Sequence, residues 1–463
     1  MGWQGINGSF RDPSGFVYAR DGILYRQVNQ SFREPFEAFL ASGLCDELIG
    51  DRLLVAHQPA ALALAATDEA YAVLQPERIP FVSYPYEWSF GQLRDAALLT
   101  LELQERALAR GLVLRDASAY NVQLRDGQPV FIDTLSFEPR VPGSAWVGYR
   151  QFCEHFLVPL ALMSLRDIRC GTMLRSSLEG VPLDLGSRLL PRRTWLRPGL
   201  LFHVHLHAWA QGRYANASVK ASAKGRAVSS SAALGLVKSL RATVASLRWT
   251  PAGTEWAEYA REHSYSEGAA RSKREIIAEF LRPTGARTAW DLGANTGEYS
   301  RVARESIPMV VAFDIDPAAV ERNYQQVRAA GETGILPLRL DLADPSPSLG
   351  WAHRERMSLE DRGPADVLLA LALVHHLAIG RNVPLDHMAA YLARLGRRLV
   401  IEFVPKNDPQ VQRLLRNRED LFPNYTREGF EQAFRRSFRI EAVRPVAGSE
   451  RLLYLMAAGG GHA

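Results

Sequence analysis

Between residues 256 and 463, short apolar runs of strand length alternate with amphipathic runs of helix length, and this alternation constrains the fold more than any other feature of the chain. TAWDLG (288–293), MVVAFDID (309–316), ILPLRLDLA (335–343), ADVLLALALV (365–374) and RRLVIEFV (397–404) read as strands. ARSKREIIAEFL (270–281), GEYSRVARES (297–306), PAAVERNYQQVRAAG (317–331) and LDHMAAYLARLG (385–396) read as helices. The strand runs lack the polar alternation of a half-solvated sheet, so both of their faces need cover. Helices on both faces of a parallel sheet give a doubly wound α/β domain.

A chain of 463 residues exceeds what one core usually organises, about 300 residues at most. NASVKASAKGRAVSSSAALG (216–235) is rich in Ser, Ala and Gly, and predicts a linker that continues to residue 255 through a connecting helix at LVKSLRATVASLRW (236–249). Two unlike domains result, 1–215 and 256–463. No apolar run approaches the roughly 20 residues of a membrane span, and the start MGWQGINGSFRDPSG lacks the basic and apolar parts of a signal peptide. A cytoplasmic protein is expected. Cys45, Cys153 and Cys170 stand at no metal or redox spacing and are expected as buried small hydrophobes. The net charge of +5 is mild and its basic excess reads as scattered, which fits an acidic substrate at most and no nucleic-acid partner.

In AWDLGANTGEYS (289–300) an acid ends a strand and a glycine-bearing turn opens toward a helix. A dinucleotide-binding turn needs glycines at its first, third and sixth positions, whereas counting from Gly293 the chain has Asn295 and Glu298 at the last two. A triphosphate loop needs Gly-Lys-Ser/Thr, and no lysine is near. What remains is Asp291, followed by Gly293, Asn295 and Gly297, where glycine lets backbone approach a ligand. Asp291 suits an ammonium group, Asp314 at the next strand end suits the two hydroxyls of a ribose, and Asp341 at the third lies within reach of an adenine amine. A ligand with those parts and no phosphate is S-adenosylmethionine. DLGANTGEYS, VVAFDID and LRLDLAD resemble the ordered motifs of class I S-adenosylmethionine-dependent methyltransferases. The resemblance implies a Rossmann-like methyltransferase domain, with Asp291 and Gly293 beside the methionine end, Asp314 on the ribose and Asp341 near the adenine. The alternative is a doubly wound domain that binds another nucleoside or has lost its ligand.

In such sheets the second substrate sits beyond the carboxyl ends of the strands. LALVHHLAIG puts His375 and His376 at that lip, and IEFVPKND puts Glu402 there. Methyl transfer to a hydroxyl can use a base, and imidazole suits that task near neutral pH. LALVHHL is not the Asn/Asp-Pro-Pro-aromatic motif of nucleobase-methylating members. An oxygen acceptor is therefore expected, with His375 or His376 as base and Glu402 orienting or binding. The alternative for either histidine is a cap or a packed side chain. Lys406, Asp408 and Tyr425 are further candidates, weighed against ordinary loop residues. The tail IEFVPKNDPQVQRLLRNREDLFPNYTREGFEQAF (401–434) is similar to bacterial methyltransferases labelled nodulation proteins, which implies a small-molecule or glycan-like acceptor.

In the first half, GFVYARDGILYRQV (15–28) predicts a hairpin turning at Asp21-Gly22, and DAALLTLELQERALARG (95–111) predicts an amphipathic helix. Arg115-Asp116, Asn121 and Asp133 then resemble the catalytic loop and metal-binding acid of protein kinases and small-molecule phosphotransferases. The resemblance implies an α+β kinase-like domain in which Asp116 aligns a hydroxyl while Asn121 and Asp133 hold magnesium beneath ATP. The departures are a missing glycine-rich loop, Thr134-Leu135 in place of Phe-Gly, and no lysine before Lys220. Arg26 is the stand-in cation, though its fork differs from a lysine's point charge. A degenerate domain that positions the acceptor or a partner is favoured over one that binds ATP and magnesium. A bifunctional kinase-methyltransferase and a non-catalytic scaffold are the rival readings. His203, His205 and His207 lack an accompanying Cys or carboxylate cluster, so no metal site is predicted.

Overall fold

The computed structural model describes residues 2–214, 227–251, 267–416 and 419–459. Residues 216–226 and 252–255 of the expected linker, and 256–266, 417–418 and 460–463 of the expected second domain, lie outside the described residues. The chain divides into two units, Met1–Thr250 with Gly350–Arg356, and Pro251–Leu349 with Met357–Ala463.

In the first unit, β1 (Gln4–Gly5), β2 (Gly15–Arg20), β3 (Ile23–Asn29), β4 (His57–Ala60) and β5 (Ala70–Pro76) form an antiparallel sheet in the order β1-β2-β3-β5-β4. Asp21 and Gly22 take φ of 53° and 77°, the left-handed pair that a two-residue hairpin between right-twisted strands requires. Helices α1 (Arg33–Ala41) and α2 (Leu44–Gly50) lie between β3 and β4 in sequence. The expected amphipathic helix is α3 (Phe90–Ala109), opened by a capping box in which Ser89 and Gln92 bond each other's backbone. β6 (Leu112–Leu114) pairs with β9 (Phe137–Pro139), enclosing the hairpin of β7 (Val122–Arg125) and β8 (Gln128–Phe131). A helical region follows, including α4 (Val158–Leu165), α5 (Leu183–Leu189), α6 (His207–Tyr214) and α7 (Ser230–Ser246).

Helix α7 takes in most of the expected connecting helix at 236–249, starts at Ser230 within the expected linker, and belongs to the first unit as a packed element. Its Val237, Leu240 and Val244 are buried, and Arg241 pairs with Glu105 of α3 at 3.1 Å. The apolar spacing i, i+3, i+7 outweighs the small-residue composition that suggested a tether.

In the second unit, β10 (Thr288–Leu292), β11 (Met309–Asp314), β12 (Ile335–Arg339), β13 (Ala365–Ala370), β14 (Gly396–Phe403), β15 (Phe438–Pro445) and β16 (Leu452–Ala458) form one sheet, ordered β12-β11-β10-β13-β14-β16-β15. The first five in that order are parallel, and β16 runs antiparallel to both of its neighbours. Val310, Val311, Ala312 and Phe313 are consecutive and all buried, so both faces of β11 are covered, as the unbroken apolar run requires. Helices α8 (Glu267–Leu281), α9 (Glu298–Arg304), α10 (Pro317–Ala330), α11 (Leu385–Leu395), α12 (Pro409–Leu415) and α13 (Arg427–Phe434) complete the unit. Ile277, Phe280 and Leu281 of α8 pack in one core cluster with Ala289, Val310 and Val400. Strand order reverses between β10 and β13, which places the crevice of a doubly wound sheet beyond these strand ends. Among the described residues no helix is long and apolar enough to cross a membrane. All three cysteines are free, with Cys45 and Cys153 buried and Cys170 half-buried.

Candidate functional site

The glycine-bearing turn is built by backbone conformation. Gly293, Asn295 and Gly297 all take left-handed φ, at 82°, 51° and 82°. The amides of Gly293 and Ala294 both donate to the Phe313 carbonyl, at 2.9 and 2.8 Å, which ties the turn to the end of β11. A Cβ on Gly297 would come within 2.6 Å of the Asn323 side chain, so glycine is needed there for space as well as for conformation.

Two expected acids flank this turn. Asp314, the last residue of β11, accepts from the Asn295 amide at 2.7 Å and from the Asp316 amide at 2.8 Å. Asp291 is buried beneath the turn and accepts from the Ser300 hydroxyl at 2.6 Å. Burial is the first cause that raises both carboxyls to about 6, and for Asp291 the nearby Asp314 charge adds to it while Ser300 opposes. Asp341 follows β12, is half-buried, accepts from the Ala343 amide at 2.9 Å and faces Arg381 at 3.4 Å. The acid expected near an adenine amine thus already has a cationic neighbour.

The expected catalytic group is arranged differently from the sequence reading. His376 is half-buried at the start of a single wide π-helical turn, His376–Gly380, but His375 is fully buried behind it, with ring centroids 4.1 Å apart. Neither ring nitrogen of His375 has a hydrogen-bond partner among the described residues, which for a buried polar side chain costs on the order of 1–3 kcal/mol. Burial, then the neighbouring His376, Arg451 and Lys273, hold His375 neutral well below the usual imidazole range, and burial takes His376 down to about 4.

Glu402 is not at the lip. It is fully buried, and its Oε2 accepts from Lys273 Nζ of α8 at 2.7 Å and from the Ala372 amide at 2.7 Å. Arg451 Nη1 lies 3.7 Å from Oε1 and also pairs with Asp408, whose carboxylate caps α12. The buried charges compensate one another, so Glu402 is consumed as an anchor: it grips Ala372, which sits at φ 50°, three residues before His375. Lys406 pairs with Asp420, and the Tyr425 hydroxyl donates to the Val404 carbonyl, so these candidates serve the local structure.

Lys273 is the participant that motif reading missed. The signal was its spacing, because it lies three and four residues before Ile276 and Ile277 on the apolar stripe of α8, where a lysine has to find an internal partner. Just after His376 the chain also lines a hollow of about 410 Å³ whose polar groups include Asn382, Asp386, Asn424, Gln432 and Arg436, with Phe422 beside them.

In the first unit, Arg26 of β3 ion-pairs with Asp133, whose other carboxylate oxygen accepts from the Ser136 hydroxyl. Asp116 accepts from the Ser118 amide at 2.9 Å, and burial, then the charge of Asp133, raises its carboxyl. Arg115 pairs with Asp12 at 3.1 Å. Arg26 and Ser136 each contact one oxygen of Asp133, so the acid assigned to magnesium by the kinase resemblance already has a protein counter-charge. Both nitrogens of His203 lie within 2.9 Å of hydroxyls, on Tyr149 and Ser239, and those of His205 lie 2.8 Å from Ser187 and Thr194. Among the described residues no cluster of three or more His, Cys, Asp or Glu side chains could hold a metal ion.

Sheet order, switch point and strand-end acids define the second unit as a doubly wound α/β domain of the Rossmann-like class. The chain belongs to the family of the nodulation protein NoeA of Rhizobium meliloti (strain 1021), with which it is 37% identical over 456 residues that span 97% of this chain and 95% of that protein. No family model matches the chain. Among solved structures it is similar to the PH0226 protein of Pyrococcus horikoshii OT3, at 15% identity and a TM-score of 0.33 over 45% of this chain and 100% of that one. It is also similar to the N-methyltransferase NodS of Bradyrhizobium japonicum WM9, at 11% identity and a TM-score of 0.30 over 42% and 98%. Magnesium protoporphyrin IX methyltransferase ChlM of Synechocystis PCC 6803 matches at 16% identity and a TM-score of 0.32, over 44% and 94%.

Proposed function

We propose that the chain is an S-adenosylmethionine-dependent methyltransferase that acts on the oxygen of a small-molecule or glycan-like acceptor. The observation that carries this reading is the pair of buried strand-end carboxylates, Asp291 and Asp314, around a left-handed turn. Two buried carboxyls so close together resist ionisation, and a ligand bringing an ammonium group and ribose hydroxyls relieves that cost. When bound, the cofactor supplies the electrophilic methyl group. Asp291 lends negative charge beneath its ammonium end, Gly293, Asn295 and Gly297 bring backbone close, and Asp314 accepts from the ribose. Ile315, 38% exposed directly after Asp314, offers an apolar face to the adenine, with Asp341 at its edge.

His376 is the base in this reading, because a group has to touch the acceptor to take its proton and His375 is enclosed. Burial lowers its pKa to about 4, so the imidazole is neutral at pH 7, the form a base requires, though a weaker base than an ordinary imidazole. Lys273 and Glu402 act through Ala372 as positioning residues for the histidine-bearing loop. The amide, carboxylate and aromatic lining of the neighbouring hollow suits a hydroxyl-rich acceptor. The first unit is a kinase-like frame whose metal acid is held by Arg26, and it serves as a non-phosphorylating domain. Calorimetry tests the core of the proposal: Asp314→Ala is expected to abolish S-adenosylmethionine binding, and an unchanged affinity would show the ribose placement to be wrong.

A further inference from the structure

Residues 185–254 contain eight arginines and three lysines and not one Asp or Glu. The whole chain carries only +5, so the remainder is net acidic. The basic excess is therefore not scattered, as composition alone suggested, but gathered in one tract.

Its described part has a defined outer face. Helix α5, the turn Arg192–Leu196 and the helical run from Leu201 to Tyr214 meet at His205, whose ring nitrogens lie 2.8 Å from the hydroxyls of Ser187 and Thr194 and whose ring stacks on Trp195 at 4.4 Å. These contacts leave Phe202, Leu206 and Trp209, spaced i, i+4 and i+7, as an exposed stripe flanked by Trp195 and Leu196. Leu196 is 86% exposed and Phe202 61%. Arg192, Arg193 and Arg197 are exposed beside them and have no carboxylate partner among the described residues. Arg213 lies over the Trp209 ring at 5.3 Å, and Arg188 faces Asp184 at 3.6 Å with both side chains exposed.

Single exposed apolar residues are ordinary, but neighbouring Trp, Phe and Leu side chains rimmed by unpaired arginines form an interaction surface. We infer that this face of the first unit docks on an anionic lipid surface, with its apolar side chains entering the acyl boundary and its arginines meeting headgroup phosphates. Charge complementarity selects this occupant. An isologous contact with a second copy would set the same arginines against each other across a two-fold axis. A single-stranded nucleic acid would use arginine and aromatic rings for backbone and bases, but it gives Leu196 and Leu206 nothing to enter. Tryptophan, phenylalanine and leucine on one side with arginine on the other is the pattern of an element lying in a bilayer interface. The inference is independent of the methyltransferase reading.

Flotation of the full chain with phosphatidylcholine vesicles, with and without phosphatidylglycerol, tests it. Binding is expected only with the anionic lipid, and it should fall as salt is raised. Each arginine near an anionic surface contributes about fivefold in partition, so R192Q/R193Q/R197Q should bind about a hundredfold more weakly. F202S/W209S should lose binding at unchanged charge, with circular dichroism confirming that both variants keep the wild-type melting profile. Equal binding to neutral vesicles, or none to anionic ones, would overturn the inference. So would tight binding of an oligonucleotide that competes with the vesicles, or a dimer that F202S/W209S dissociates.

Discussion

Replacing Lys273 with methionine removes a cation from a place that water does not reach. Lys273 is 1% exposed and Glu402 0%, and their charged atoms are 2.7 Å apart. Methionine roughly conserves the volume of the aliphatic stem, so the loss is electrostatic. Breaking one side of a buried pair costs roughly 3–5 kcal/mol, because the remaining charge is stranded. Arg451, 3.7 Å from the other Glu402 oxygen, compensates in part, which puts the expected loss at the lower end, about 3 kcal/mol. K273M/E402Q removes the stranded charge and keeps an oxygen for the Ala372 amide. It should therefore lose less than K273M alone, about 1–2 kcal/mol. A chain of two units need not unfold in one step, so the assay is hydrogen exchange of the β10 and β14 amides, which reports opening of the second unit itself. A loss below about 1 kcal/mol in K273M, or a double variant that is simply the sum of the two single ones, would refute the reasoning.

Asp291 and Asp314 sit at about 6 in the folded chain against an ordinary 3.8, so their contribution to stability is full below about pH 4 and is lost as pH rises through 6. S-adenosylmethionine affinity should rise over the same window as both carboxyls ionise, by about tenfold or more between roughly pH 5 and pH 7.5; a flat calorimetric profile would count against their role. Gly297→Ala combines a left-handed φ with a Cβ 2.6 Å from Asn323, and should cost about 2–3 kcal/mol in exchange protection of β10. Gly293→Ala has the same φ but meets only Leu373 at 3.5 Å, so about 1 kcal/mol is expected, and equal losses would mean that the clash is not decisive. Arg26→Met leaves Asp133, whose side chain is only 12% exposed, without its counter-charge, and should lower protection of β3 and β8 by about 3 kcal/mol; protection within about 1 kcal/mol of wild type would show the pair to be dispensable.

The parallel strands of the second unit were legible because burial on both faces leaves an unbroken apolar run, and the helix from Pro317 because Asp316 caps it and Gly331 ends it. β15 and β16 were not read. FRIEAVRP alternates with charge like an exposed edge, and nothing local says that LLYLMAA enters the sheet between two earlier strands. The acids around the turn were legible because each stands at or one residue before the end of a strand. The burial of Glu402 was not, since it goes with an ion pair to a lysine 129 residues away in sequence, and nothing local to LALVHHL says that His375 rather than His376 is enclosed. The role of Arg26 as the counter-charge of Asp133 depends likewise on a contact between residues 107 positions apart. Helix α7 was legible as a connecting helix from its apolar spacing, but its small-residue start hid that it begins at Ser230 and packs into the first unit.

β16 lies inside its sheet, with Val400 of β14 opposite Leu455 on one side and Tyr454 opposite Val443 of β15 on the other. During synthesis, β14 and β15 leave the ribosome first, and the slot between them stays open until residues 452–458 follow. The hairpin of β2 and β3, by contrast, closes from adjacent residues almost as soon as it is made. A nascent second unit therefore presents an unpaired β14 edge, the kind of template that chaperones cover and that aggregation exploits. The same opening admits the β16 of another copy, so at high expression the characteristic misassembled species would be a dimer exchanging its final strands.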